Sequence, residues 1–192
     1  TAEHVAVSAG HGVHFAEFPT TVEAARACHA HGIRVMMGAP NLIRGGSHSG
    51  NVAAEELARA DLLDILSSDY VPASLLMAAF GLPERVPGIT LPDAIATVTA
   101  NSARATGLTD RGRLAPGMRA DLNLIDFDRL LLHKPELVHD MPANGRRFIQ
   151  RVEGYEATLV AGTPIFERGE HTGALPGRLV RAGRHGEAVK AA

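Results

Sequence analysis

"IRVMMGAPNLIRGGSHSGNVAAEELARADLLDILSSD", residues 33–69, carries the fold of this chain. Residues 33–39 form an apolar run of strand length, suited to a strand covered on both faces. A loop rich in glycine and hydroxyl groups follows and runs to residue 51. Residues 52–60 have the apolar spacing of a short helix, and 62–69 return to a strand that ends in "SSD". Strand, helix and strand with short connections predict a parallel sheet with helices packed outside it.

The same alternation extends in both directions. Residues 12–18 read as a strand and 19–32 as a helix, with Thr20 and Glu23 at capping-box spacing and Gly32 as its stop. Beyond residue 69, helices are expected over 71–82, with Pro72 in the first turn, and over 90–108, with Thr90 and Asp93 as the cap pair. The texture changes after that. Pro116–Gly117 precedes a strand within 120–127, and three short strands separated by glycine are expected between 148 and 167. The predicted organisation is an α/β piece over 1–108, a β-rich piece over 109–185 and a disordered tail over 186–192.

Composition narrows the classes of function. Hydrophobic residues make up 45% of the chain, charged residues 21%, and the formal net charge is -2. These are ordinary values for a soluble globular protein, and they argue against a nucleic-acid or anionic-membrane partner. No apolar run approaches the roughly 18 residues that span a bilayer. The N-terminus lacks the pattern of a signal peptide. The single Cys28 excludes an internal disulfide and a multi-cysteine metal site. A cytoplasmic protein is the expectation.

Ligands of parallel α/β folds sit at the carboxyl ends of strands, where loops vary on a rigid scaffold. "EFPTT" (17–21), "GAPNLIRGGSHSGN" (38–51) and "SSDY" (67–70) occupy that position. Glu17, Asn41, Arg44, Ser47, His48, Ser49, Asn51 and Asp69 are therefore expected to converge. Arg44 offers a planar fork for phosphate oxygens, Ser47, His48 and Ser49 add donors, and the N–H groups of Gly45 and Gly46 add two more. The plainer alternative is a self-satisfied surface turn. Asp69 can hold a metal or act as a general base, or it can simply cap the next helix.

The histidines carry less. His29 and His31 sit two apart near a helix end, where they read as surface groups favoured by the helix dipole. His4, His11 and His14 straddle glycines. His133, His139, His171 and His185 fall in polar segments and read as solvated.

Residues 16–80, with "GAPNLIRGGSHSGN" and "DILSSDYVPASLL" as the most specific runs, closely resemble the α-D-ribose 1-methylphosphonate 5-triphosphate diphosphatases of the carbon–phosphorus lyase pathway. These belong to the amidohydrolase superfamily. The resemblance continues through "LPDAIATVTANSARATGLTDRGRLAPGMRADL" and covers about residues 1–122. It implies the C-terminal part of a distorted (β/α)8 barrel, a divalent metal with zinc the expected ion, and hydrolysis of a triphosphate ester with release of pyrophosphate. Asp69 matches the superfamily's Asp at the end of the last barrel strand, which binds metal and takes a proton from the attacking water. Asn41, Arg44, Gly45, Gly46, Ser47, His48 and Asn51 then become contacts for a small phosphorylated substrate.

Two departures qualify that expectation. The family's other metal ligands belong upstream of Thr1, so this chain is expected to hold only the last barrel strands and to be inactive alone. Its exposed strand edges also suggest a homo-oligomer. The tail, about 110–183, instead resembles D-aminoacylase-like amidohydrolases, in which it completes a small β-sandwich. An N-acyl-D-amino-acid deacylase and a non-catalytic anion-binding remnant are the alternative expectations.

Overall fold

The computed structural model describes residues 1–181, which form two compact units, Thr1–Arg113 and Leu114 onward. The expected disordered tail over 186–192 and His185 lie outside the described residues.

The first unit opens with a helix the sequence reading does not anticipate, α1 (Ala2–Gly10), whose Val5 and Ala9 pack against the core. His11 and Gly12 close it, with Gly12 at φ 72° donating its N–H to Ala9. That helix exit consumes residues expected in the first strand, so β1 is only Phe15–Glu17. Helix α2 (Val22–Ala30) follows. Its cap is Thr21 rather than Thr20: the Thr21 hydroxyl accepts from Ala24 N–H, and the Thr20 carbonyl accepts from Val52 N–H across the fold.

Strand β2 (Arg34–Gly38) leads directly into α3 (Ala39–Arg44), a helix inside the segment read as a loop. The reason is local. Pro40 sits in the first turn, where its missing N–H has no intrahelical partner to lose, and Gly45 at φ 79° terminates the helix. Helix α4 (Ala54–Arg59), strand β3 (Ile65–Ser67) and helix α5 (Ser74–Arg85) come next. Helix α5 starts after Pro72 and runs past Gly81 to include Pro83. The single helix expected over 90–108 is two, α6 (Leu91–Val98) and α7 (Ala100–Ala105), broken at Thr99 with φ -132° and ψ -91°. The Thr90–Asp93 capping box is present.

Strands β1, β2 and β3 form one parallel sheet in sequence order, with Glu17 opposite Met36, Met36 opposite Ile65 and Gly38 opposite Ser67. Val35, Met37 and Leu66 enter a common core with Ala25 and Cys28 of α2, Leu42 of α3, Leu57 of α4 and Leu82 of α5. The alternate strand positions Arg34 and Met36 lie outside that cluster, as the period of two in a strand requires. Burial also pushes the Cys28 thiol pKa up.

The second unit is antiparallel. Its strands are β4 (Leu122–Ile125), β5 (Leu131–Leu132), β6 (Glu136–Met141), β7 (Gly145–Ile149), β8 (Val152–Glu153), β9 (Tyr155–Val160), β10 (Thr163–Glu167) and β11 (Glu170–His171). Four of them form a sheet in the order β11-β10-β9-β4, and β5 with β8 and β6 with β7 form separate pairs. The strand expected over 148–152 is divided between β7 and β8, and strands β5 and β6 are additions to the sequence reading. No helix among the described residues is long and apolar enough to cross a membrane.

Candidate active site

The carboxyl ends of β1, β2 and β3 bring Phe18, Gly38 and Asp69 together. Phe18 donates its N–H to the Met36 carbonyl at 2.9 Å. Phe18 and Asp69 both adopt left-handed backbone conformations, φ 55° and 51°, which are uncommon for residues with a side chain and cluster at functional sites. A Cβ built on Gly38 would lie 2.7 Å from Asp69 Oδ2 and 3.3 Å from Phe18 Cε1, so these two side chains close over the glycine. Asp69 Oδ1 accepts from Tyr70 N–H at 2.8 Å. The carboxylate does not cap α5, whose N-cap is Ala73 with no side-chain hydrogen bond.

A cavity of about 240 Å³ opens beside this junction. Met37, Pro40, Val52 and Phe18 give it an apolar side, while Asn41, Arg44, Ser47, His48, Ser49, Asn51 and Asp69 give it a polar one. Asp69 is the only carboxylate in its lining and Arg44 the only guanidinium. Arg44 Nη1 donates to Tyr70 Oη at 3.4 Å, and among the described residues it has no carboxylate partner. An unpaired guanidinium facing a cavity is the arrangement an anionic ligand needs.

Several sequence-derived contacts stand differently. The N–H groups of Gly45 and Gly46 are not available to an anion: they donate to Leu42 and Asn41 carbonyls at 3.2 and 2.9 Å and close α3. Helix α3 itself, unforeseen in the loop, consumes them. Asn41 Oδ1 accepts from Ala54 N–H at 2.8 Å and so caps α4. Ser47 and Ser49 are partly satisfied by each other, with Ser49 N–H donating to Ser47 Oγ at 3.2 Å. Glu17 is exposed and does not line the cavity. Phe18, Gly38 and Tyr70 line it without being singled out by the sequence; each directly adjoins a strand end or Asp69, and that adjacency is the available signal.

A metal does not fit this donor set on its own. Among the described residues no group of three or more His, Cys, Asp or Glu side chains is arranged to hold one, and Asp69 is a single carboxylate. Near it, the Ser67 hydroxyl, opposite Gly38 in the sheet, is buried without a hydrogen-bond partner.

A second polar cluster lies at the other end of the sheet. Asp64, just before β3, accepts from Val35 N–H at 2.8 Å and Arg34 Nη1 at 2.9 Å, and pairs with His29 Nε2 at 2.7 Å. His29 therefore makes a hydrogen bond to Asp64 across the fold rather than standing free at the surface. Burial alone would raise the Asp64 pKa, but these hydrogen bonds outweigh it and hold the carboxyl below its usual range.

Comparison with known proteins agrees with this architecture. The profile described as "Amidohydrolase family" matches residues 18–166. The α-D-ribose 1-methylphosphonate 5-triphosphate diphosphatase of Escherichia coli (strain K12) is 59% identical over 125 residues, 65% of this chain and 33% of that protein. The chain thus spans about a third of the length of that curated relative. The D-hydantoinase (dihydropyrimidinase) of Thermus sp. superposes with a TM-score of 0.57 at 15% identity, over 90% of this chain and 50% of that one. An adenosine deaminase of Xanthomonas campestris, solved with bound zinc, superposes with a TM-score of 0.54 at 16% identity, over 83% and 38%. At such identities the likeness is one of fold.

Proposed function

Because the chain belongs to the amidohydrolase family, we propose that it contributes the carboxylate and anion-binding part of a metal-dependent hydrolase acting on a small phosphorylated substrate. The reaction we favour is that of the diphosphatase it resembles, cleavage of a triphosphate ester with release of pyrophosphate. The observation that carries this reading is Arg44. It has no carboxylate partner among the described residues, and it shares one cavity with Ser47, His48, Asn51 and Asp69.

The parallel sheet in sequence order supports a segment of a (β/α)8 barrel, and the antiparallel second unit supports part of the β-sandwich found beside such barrels. Asp69 is the one residue here that would ligate a divalent ion, zinc being the expected one. Its partner ligands are not among the described residues, so the chain alone is expected to lack turnover. What these residues do themselves is bind and orient: Arg44 neutralises phosphate charge, the Ser47 and Asn51 side chains add polar contacts, and the apolar side of the cavity excludes water. A cytoplasmic location and a homo-oligomer that covers the open strand edges complete the reading.

The test is calorimetry with inorganic tripolyphosphate, together with zinc content and pyrophosphate release, for the chain and Asp69→Asn. Saturable tripolyphosphate binding without turnover supports the reading. Absence of any tripolyphosphate binding sinks it, and Asp69-dependent turnover by this chain alone overturns its expected inactivity. The alternative, a non-catalytic anion-binding module, predicts tripolyphosphate binding unaffected by Asp69→Asn.

A further inference from the structure

We propose that Gly38 is a positioning residue for Asp69: the absence of a side chain at the end of β2 creates the space that holds the Asp69 carboxylate at the cavity. This rests on the reading of Asp69 as a functional carboxylate, and it adds a residue that reading does not name.

Glycine at this position is not required by the backbone. Gly38 has φ -74° and ψ 132°, extended values that any residue adopts, and it serves as the N-cap position of α3. What requires glycine is space. A Cβ would meet Asp69 Oδ2 at 2.7 Å, Asp69 Cβ at 3.2 Å and Phe18 Cε1 at 3.3 Å. The first distance is shorter than real carbon–oxygen contacts allow, so a methyl group must move the carboxylate.

The carboxylate has little freedom to move in a harmless way. Asp69 is already in the left-handed region at φ 51°, and its other oxygen is tied to Tyr70 N–H at 2.8 Å. Phe18 closes the opposite side, also with positive φ. Two residues with positive φ, which follow the strands on either side of β2, thus converge on the end of β2, where Gly38 carries no side chain. Strain of this kind persists only where the surroundings over-determine it. The register strengthens the point, because Gly38 lies directly opposite Ser67, two residues before Asp69. A displacement at Gly38 is therefore passed to the turn that carries the carboxylate.

The experiment reads the carbon-13 chemical shift of the Asp69 carboxyl at one fixed, near-neutral pH in the wild-type chain and in Gly38→Ala, with the signal assigned by its loss in Asp69→Asn. Asp64, at the other end of β3, is the internal control. The expectation is a changed chemical shift for Asp69 with Asp64 unchanged. An Asp69 chemical shift identical in the two proteins overturns the proposal, because a merely structural glycine would leave it alone.

Gly38→Ala could instead prevent folding, and a double variant covers that case. In Asp69→Gly the carboxylate and Cβ are gone, so the methyl group added by Gly38→Ala should be tolerated. The urea midpoint lost on Gly38→Ala should fall to less than half in the Asp69→Gly background. Equal losses in both backgrounds, or a double variant that still fails to fold, overturn the proposal. Tripolyphosphate binding is measured on the same samples. If Asp69 responds to Gly38→Ala while the wild type binds no tripolyphosphate, the positioning role stands and the anion-binding reading fails.

Discussion

His29 Nε2 lies 2.7 Å from Asp64 Oδ2, joining the last turn of α2 to the residue that enters β3. With Arg34 and Val35 N–H on the same carboxylate, this pairing fixes one helix and two strands at the end of the sheet remote from the cavity. The Asp64 side chain is 11% exposed, whereas its partners His29 and Arg34 are 28% and 54% exposed, so solvent weakens the Arg34 contact more than the His29 one.

The pH dependence follows from the direction of the Asp64 shift. Its folded pKa is depressed below the unfolded value, because hydrogen bonds to the carboxylate outweigh burial. The stability it confers is therefore present above the unfolded pKa of about 3.9 and is lost as pH falls through the lower folded value. Urea midpoints measured from about pH 6 down to about pH 2.5 should drop on the acid side. Asp64→Asn should be destabilised near neutrality by about 1.5–3 kcal/mol, the range for hydrogen bonds to charged groups, and should lose part of the acid-side slope. An unchanged slope would assign the acid sensitivity to other carboxylates.

Much of this architecture is legible in the sequence, for reasons that can be traced residue by residue. The apolar runs around Val35 and Leu66 announce buried parallel strands, and Thr90 with Asp93 announces a helix start that the structure contains. The strand-end rule gathers Arg44, Ser47, His48, Asn51 and Asp69 into one cavity. Helix α3 is hidden because a six-residue helix has no periodicity to detect, and its signals, Pro40 and the Gly45–Gly46 pair, equally describe a loop. His29 reads as a surface group because its partner, Asp64, lies 35 residues away and only tertiary packing brings them together. The space demand at Gly38 is likewise invisible in one dimension.

Asn41 illustrates a residue whose position suggests ligand contact but whose bonding is structural. Helix α4 has Ala53 at its N-cap, which has no side-chain acceptor, and Asn41 Oδ1 supplies one to Ala54 N–H from a neighbouring helix. Asn41→Ala should cost about 0.5–2 kcal/mol of stability, as loss of an N-cap acceptor does. Thermal and urea unfolding measure it. Tripolyphosphate affinity should change little once the variant is folded, whereas a large affinity loss at unchanged stability would make Asn41 a direct contact.

In the second unit, Gly154 is held at φ 91°, and a Cβ there would come within 2.8 Å of Leu130 Cα. Strain and collision with backbone act together. Gly154→Ala should therefore destabilise that unit by more than about 1 kcal/mol. Hydrogen exchange should report the loss in β9, which begins at Tyr155, and in β4, which pairs with it. Protection equal to the wild type in both strands would mean that Leu130 moves aside without cost.

Arg44 separates affinity from stability most cleanly. Its only hydrogen bond among the described residues is the 3.4 Å contact to the exposed Tyr70 hydroxyl, near the limit of a useful bond. Arg44→Ala should leave the unfolding free energy within about 0.5 kcal/mol of the wild type, as surface substitutions usually do. Tripolyphosphate affinity should fall about tenfold or more, equivalent to at least about 1.4 kcal/mol for one charge-assisted contact. Arg44→Lys should recover only part of the loss, since an ammonium group keeps the charge but not the planar fork. Raising ionic strength should weaken the wild type more than Arg44→Ala, because the charge being screened is the one removed. Equal salt dependence in the two proteins would mean that the anion is held elsewhere, and that the cavity beside Asp69 recognises some other chemistry.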